Sequence, residues 1–431
     1  MKDIASRMRR TRPRDPIFRQ RNFRLFFLGY VTSLLGSAMA PVSLIFAILA
    51  AGGSGSQVGG VMAAQIVPMV LCLLWSGVLA DRFGSRRVML MADALRCVTQ
   101  LALALVVWHG HPPLWALIAL SAIRGVGDGF FTPALTALIP RLTTDALLPA
   151  ANASIGVARS VVTMAGPACA GALVVTAGST VVLFIDAATY GVSVLALSLL
   201  RLQQQPAKTA QSMLVDLREG WSHFRSCTWL WVITVQFTLF NLVVASPFFV
   251  LGPVVADRSL GGAASWGLFM GLYGLGSVLG GLSLLGRVPG RPLLVATLVG
   301  LGWALPNAAL GSGLSTAWVA AAVLAAGMGS AISTALSTTS IQRHVPAAVQ
   351  ARVSSYGAFG AFALGPLGLV AAGPLADRIG TGPVLLVSAV VHVAVSVGVL
   401  AVPVVRHLSA EPSPAVEVAK PSKFFSEAET R

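Results

Sequence analysis

Arg124, Asp128, Arg159 and Asp186 stand inside long apolar stretches, where an unneeded charge is costly. Arg124 and Asp128 are four residues apart, so on a helix they share one face. Each costs about 2.5–3.5 kcal/mol at the middle of a membrane-spanning helix. Together they ask about 6 kcal/mol of their span, tolerable only if both face protein or water. Such a pair can handle a proton or a polar part of a substrate, or it can be a buried structural ion pair. Asp186 is alone in Leu183-Phe184-Ile185-Asp186-Ala187-Ala188. Burial penalises the charged form of a carboxylate, which is the condition a proton carrier needs. Its place a few residues into the run also lets the side chain reach back to the surface. Arg159 can compensate Asp128 or another buried carboxylate. Asp93 and Arg96, three residues apart, read as an extension of the charged turn around Asp81.

The elements that hold these residues follow from composition. The chain has 431 residues, 55% hydrophobic and only 10% charged, with mean hydropathy +0.80. Soluble domains carry about 25% charged residues, so an ordinary soluble enzyme, a disordered chain and a collagen-like fibre are excluded. About twelve runs reach the roughly 20 apolar residues that a spanning helix needs. They are residues 25–50, 57–80, 88–108, 114–139, 153–177, 180–200, 228–252, 265–286, 293–311, 316–340, 353–374 and 384–405. Their continuity argues against a β-barrel, whose strands alternate over about ten residues. The expected fold is an all-α membrane protein.

Net charge is +15, from 30 Lys/Arg and 15 Asp/Glu. With twelve spans, 25 of the 30 basic residues fall on one side and two, Arg258 and Arg378, on the other. The positive-inside rule makes that side the cytoplasm and both termini cytoplasmic. Nine basic residues in 1–24 suit anionic lipid headgroups, at about 1 kcal/mol each, and explain the charge without nucleic acid. The first run is too long for a cleaved signal peptide and reads as a retained span. Cys72, Cys97, Cys169 and Cys227 lack the spacing of a disulfide framework or metal site. No G-x-x-x-x-G-K-[ST] string is present, so ATP hydrolysis is not a local energy source. We expect no cofactor, no enzymatic activity and a monomer.

Weak internal repetition runs through the chain. Gly77 and Arg87 match Gly281 and Arg291, Arg124–Asp128 lies over Ala326–Ser330, and Gly166-Pro167 lies over Gly365-Pro366, at offsets of 204, 202 and 199. The expected organisation is an N-terminal segment (1–24), a six-helix bundle (25–200), a linker (201–227), a second bundle (228–405) and a tail (406–431). Parallel repeats of this kind place a substrate site near the midplane between bundles.

The sharpest motif is Gly77-Val78-Leu79-Ala80-Asp81-Arg82-Phe83-Gly84-Ser85-Arg86-Arg87. Gly84 permits a tight turn, and the Asp81 carboxylate can hold Arg86, Arg87 or a helix N-terminus. This string resembles the G-x-L-A-D-R-x-G-R-R/K signature of the major facilitator superfamily, with Ser85 in place of a usual basic residue. Arg124-Gly125-x-x-Asp128-Gly129 is similar to that family's fourth-helix motif, and Gly166-Pro167-x-x-x-Gly171 to the motif of its exporters. Asn22-Phe23-Arg24-Leu25-Phe26, Phe131-Thr132-Pro133-Ala134 and Ile139-Pro140-Arg141 resemble a bacterial branch of siderophore, macrolide and multidrug exporters. The resemblance implies two six-helix bundles and a latch at Asp81 that forms when the transporter faces outward. It also implies a bent, close-packed fifth helix that seals the interface, with a second copy at Gly365-Pro366. Gly373-Pro374-Leu375-Ala376-Asp377-Arg378 imitates the first string but falls on the opposite side, so it does not read as a second latch.

The C-terminal spans carry no acidic residue, and a mostly apolar pocket with a few polar points suits an amphipathic organic molecule. We therefore expect a proton antiporter exporting a hydrophobic or amphipathic drug, antibiotic or siderophore by alternating access. A facilitator or importer of a small amphipathic metabolite is the alternative. Many such antiporters carry an acidic residue in helix 1, where this chain reads Ser33-Leu34-Leu35-Gly36-Ser37-Ala38-Met39-Ala40. Coupling then rests on Asp128, Asp186 or the Asp81 network, or is absent.

Overall fold

The computed structural model describes residues 17–144, 147–201, 224–284, 289–345 and 364–409, with Val353, Gly357 and Gly360. Between 73 and 82 only the helical backbone is described. Twelve long helices order the chain: α1 Arg21–Ala50, α2 Gly55–Phe83, α3 Ser85–Trp108, α4 Leu114–Leu138, α5 Leu148–Ala177 and α6 Ser179–Ser198. The second set is α7 Thr228–Leu260, α8 Gly262–Ser283, α9 Pro292–Gly311, α10 Thr316–His344, α11 Gly365–Ile379 and α12 Thr381–Ala401. Eleven are long and apolar enough to cross a membrane; α11 has 15 residues within the described part. The linker 202–223 lies outside the described residues.

Two sequence boundaries need correcting. The seventh run was expected to stop at Gly252 and the eleventh at Pro374. The helices continue through Pro253 to Leu260 and through Pro374 to Ile379. A proline removes one backbone donor, which the neighbouring packing tolerates here. Asp257 and Arg258, and Asp377 and Arg378, therefore sit in last helical turns rather than loops. α7 also contains a π-helical turn at Phe240–Ala245. The Asn307 amide of α9 donates to the Val244 carbonyl within that turn at 3.1 Å.

α1–α6 pack among themselves, as do α7–α12, so the chain forms two six-helix bundles. Their likeness shows in the turns: Gly178 before α6 and Gly380 before α12 have φ of +85° and +91°, 202 residues apart. That left-handed region is open to glycine at no steric cost. The bundles meet where α5 packs on α8 and α2 on α11. A Cβ on Gly171 would lie 2.5 Å from the Ala263 carbonyl oxygen and 2.9 Å from Gly267 Cα. Gly373 leaves room for the Gly55–Ser56 backbone, and Gly59 for the Leu369 carbonyl. The Ser56 hydroxyl donates to Asp377 Oδ2 at 2.8 Å. All these contacts lie in the half that holds the α1–α2, α5–α6, α7–α8 and α11–α12 turns. Toward the other end, Gly156 of α5 and Gly281 of α8 have open space where a side chain would go. The bundles are thus closed together at the end opposite the basic loops.

Close backbone approach needs small residues, and this gives a direct test. Gly171→Leu is expected to wedge α5 from α8 and cut transport at least ten-fold without loss of folded, monodisperse protein. Gel filtration and flux into proteoliposomes check it.

Candidate substrate and proton site

The charged residues of the first bundle converge on one buried network. The motif Arg124-Gly125-Val126-Gly127-Asp128 explains how. Gly125 lets the Gln65 backbone of α2 lie against α4, and a Cβ on Gly127 would lie 2.7 Å from Arg96 Cγ of α3. With those gaps closed, two side chains reach Asp128. Arg96 Nη1 donates to its Oδ1 at 3.2 Å, and Gln65 Nε2 to its Oδ2 at 2.9 Å. Arg96 Nη2 also donates to Asp93, whose second oxygen accepts from Ser193 Oγ at 2.5 Å. The Arg96 guanidinium lies 4.0 Å from the Phe131 ring centroid and 4.8 Å from that of Tyr190. Those aromatic faces add attraction for a cation that burial strips of water.

Arg124 points the other way. Its Nη1 donates to Gln100 Oε1 at 3.0 Å and its Nη2 to the Tyr190 hydroxyl at 3.2 Å. The same Nη2 lies 3.5 Å from Asp186 Oδ2. Tyr190 also shares a hydrogen bond with Ser37 of α1 at 2.8 Å. Asp186 fits because residue 36 has no side chain: a Cβ there would lie 2.5 Å from Asp186 Oδ1. Asp93 and Asp186 are completely buried, while Asp128 keeps 19% of its side chain exposed.

Two sequence expectations change. Arg124 and Asp128 share a face but are not each other's partners; Asp128 pairs with Arg96, and Arg124 with Asp186. Arg96 bridges Asp93 and Asp128, and Asp93 also accepts from Ser193, in the body of the bundle; the expected link to Asp81 lies outside the described residues. Asp186 does not reach the surface. Gln65, Gln100, Ser37, Ser193, Tyr30 and Tyr190 belong to the site and were missed. The available signal was an amide or phenol set inside an apolar run.

Arg159, expected to compensate a carboxylate, instead donates from Nε to the Tyr30 hydroxyl at 2.7 Å. Among the described residues no carboxylate lies within salt-bridge distance of it. Arg159, Arg124, Arg96 and Asp128 line a cavity of about 370 Å³, with Tyr30, Ser33, Gln65, Phe131 and Thr132 among its other walls.

Other motif residues divide. Gly84 has φ +84° and makes the α2–α3 turn. Arg86 donates to the Leu197 and Ser198 carbonyls at 2.8 and 2.5 Å, a cation on the C-terminus of α6. Arg87 is exposed. The side chains at positions 77, 81 and 82 (Gly77, Asp81, Arg82) lie outside the described residues. Pro167 lies inside the continuous α5, and Gly166 packs against Ala38 of α1 while Gly171 meets α8. In the second copy Gly365 makes only ordinary contact with Asn241, Pro366 sits in the first turn of α11, and Gly368 takes the close approach to the Leu242 carbonyl.

The second bundle repeats the geometry without the charges. At an offset of 202, Ala326, Ser330, Ser388 and His392 stand for Arg124, Asp128, Asp186 and Tyr190. Ser330 accepts from the Tyr273 hydroxyl at 2.9 Å, Ser388 from Asn307 at 2.7 Å, and His392 Nε2 lies 2.9 Å from the Gly300 carbonyl. A smaller cavity of about 60 Å³ there is lined by Phe240, Trp303, His392 and α10 hydroxyls.

The comparisons with known proteins agree with this architecture. The multidrug efflux pump Tap of Mycobacterium tuberculosis is 27% identical over 413 residues, covering 90% of this chain and 95% of that protein. Macrolide efflux protein A of Streptococcus pyogenes is 23% identical over 385 residues, covering 87% and 94%. In fold, the chain matches a POT family transporter in complex with 5-aminolevulinic acid, with TM-score 0.71, 13% identity and coverage of 89% and 96%. It also matches a bacterial homologue of the iron transporter ferroportin in an inward-facing state, with TM-score 0.64, 16% identity and coverage of 88% and 98%. The Major Facilitator Superfamily profile matches residues 26–368. On that match, and on two packed six-helix bundles, the chain belongs to the Major Facilitator Superfamily.

Proposed function

We propose that this transporter exports a hydrophobic or amphipathic small molecule across the bacterial inner membrane by alternating access, with proton entry as the drive. The observation that carries the reading is the buried network on the wall of the 370 Å³ cavity. It holds three carboxylates, Asp93, Asp128 and Asp186, against two guanidiniums, Arg96 and Arg124. A buried surplus carboxylate is a natural place for one proton. Neither Asp186 oxygen makes a hydrogen bond among the described residues. One proton moving through 100 mV is worth about 2.3 kcal/mol, roughly a fifty-fold gradient.

The charge sorting supports a cytoplasmic basic end. The contacts of α5 with α8 and α2 with α11 then close the outer side, and the cavity faces inward. The efflux activity named for both relatives supports export. A facilitator of a small amphipathic metabolite is the second reading, favoured by the absence of any acidic residue in Ser33–Ala40 of α1. Flux of a ligand panel into proteoliposomes, with proton flux recorded alongside, separates the two: exchange moves protons with substrate, and facilitation does not. The Asp81 turn sets the rate of the rocking step. Asp81→Asn is expected to lower turnover several-fold with substrate affinity unchanged, checked by flux and equilibrium binding on the same preparation. Equal loss of both assigns Asp81 to folding.

A further inference from the structure

We propose that the cavity selects an amphipath carrying an anionic group, anchored on Arg159. The inference rests on reading the cavity as the substrate site, but not on its proton coupling. Among the described residues four charged ones line that cavity: three arginines and one aspartate. Both oxygens of the aspartate, Asp128, are occupied by Gln65 and Arg96. Among the described residues a cationic cargo therefore meets three guanidiniums and one carboxylate that already holds Arg96 and Gln65. Arg96 and Arg124 are spent on the buried acids behind the wall. Arg159 is different. It is exposed to the cavity, its Nε is held by Tyr30, and its Nη groups have no partner among the described residues.

Its position keeps the open valence within the membrane, on the cavity wall. Arg159 lies 11 residues into α5, about 16 Å from the end of the helix, which is half the thickness of a bilayer core. An intramembrane charge at that depth normally has a counter-charge. The guanidinium fork matches a carboxylate or sulfonate with two parallel hydrogen bonds. The Tyr30 phenol accepts from Arg159 and keeps its own proton to donate. Ser33 and Thr132 hydroxyls line the same wall, and Phe131, Leu34 and Met69 offer apolar surface for the rest of the molecule.

The choice of cargo bears on energy. A potential of about 100 mV, negative inside, sustains roughly a fifty-fold outward gradient of a monovalent anion without any proton. The lack of a carboxylate in α1 then removes no driving force that such a cargo needs.

Two dyes share one scaffold and differ by a sulfonate: 8-anilinonaphthalene-1-sulfonate and N-phenyl-1-naphthylamine. Their equilibrium binding is measured on the full chain in nanodiscs, corrected against empty nanodiscs. Arg159→Gln is expected to weaken the sulfonate dye at least ten-fold and leave the neutral dye within two-fold, with Arg159→Lys between. Unchanged sulfonate binding in Arg159→Gln overturns the proposal. Equal loss of both dyes also overturns it, by assigning Arg159 to structure. Binding of neither dye to the unaltered protein overturns the cavity reading and this inference with it. If binding behaves as expected but neither dye is transported, the anion site stands and the exporter reading fails.

Discussion

Replacing Arg124 by glutamine should destabilise the protein by about 3–5 kcal/mol, the usual cost of leaving one member of a buried ion pair unpartnered. Asp186 is completely buried, and Arg124 Nη2 at 3.5 Å is its charged neighbour. Glutamine keeps a polar head at this position but brings no charge to Asp186. The penalty therefore belongs to the carboxylate left behind rather than to the hydrogen bonds lost. Arg124→Gln combined with Asp186→Asn removes that orphan charge, so the double variant should recover most of the loss. Thermal unfolding in detergent of the two single variants and the double variant measures the coupling directly. Additive losses would mean that Arg124 and Asp186 do not form one unit.

Most of the architecture was legible before any coordinates, for a simple physical reason. A bilayer demands about 20 continuous apolar residues per helix, so the twelve spans announce themselves, and the basic loops sort between them. The ends were less legible where proline intervenes. Pro253 and Pro374 look like stops, but the helices continue past them to Leu260, through a π-helical turn, and to Ile379. That extension puts Asp377 on the Ser56 hydroxyl. The second ADR string thus ties α11 to α2 at the closed end, a contact that no spacing rule reveals.

The site was legible in its members and not in its pairings. Arg124, Asp128 and Asp186 stand out because lipid would reject them. Helical spacing, however, reports only neighbours on one face. It suggested Arg124 with Asp128, whereas the partners come from α3 and α6, 32 and 62 residues away in sequence. For the same reason the partners of Arg96 beyond its own helix were not legible: it bridges Asp93 to Asp128 of α4. Gln65, Gln100 and Tyr190 carry no charge and were overlooked, although each hydrogen-bonds a charged group. The glycines of the fourth-helix motif were visible, yet their purpose became clear only once Gln65 and Arg96 were seen filling the space they leave.

Asp128 is the point where the network meets the cavity, and its charge is the central claim. Asparagine keeps nearly the same shape. It retains an oxygen for Arg96, so the fold should survive, while the titratable group is gone. The surplus of acid over base in the network goes with it. In everted vesicles with an acid interior, the unaltered protein should take up an amphipathic dye and release protons from the interior as it does so. Asp128→Asn should lose at least ten-fold of that pH-driven uptake at equal protein abundance. Uptake that is unchanged in Asp128→Asn, and that persists when the pH gradient is collapsed, would contradict the account.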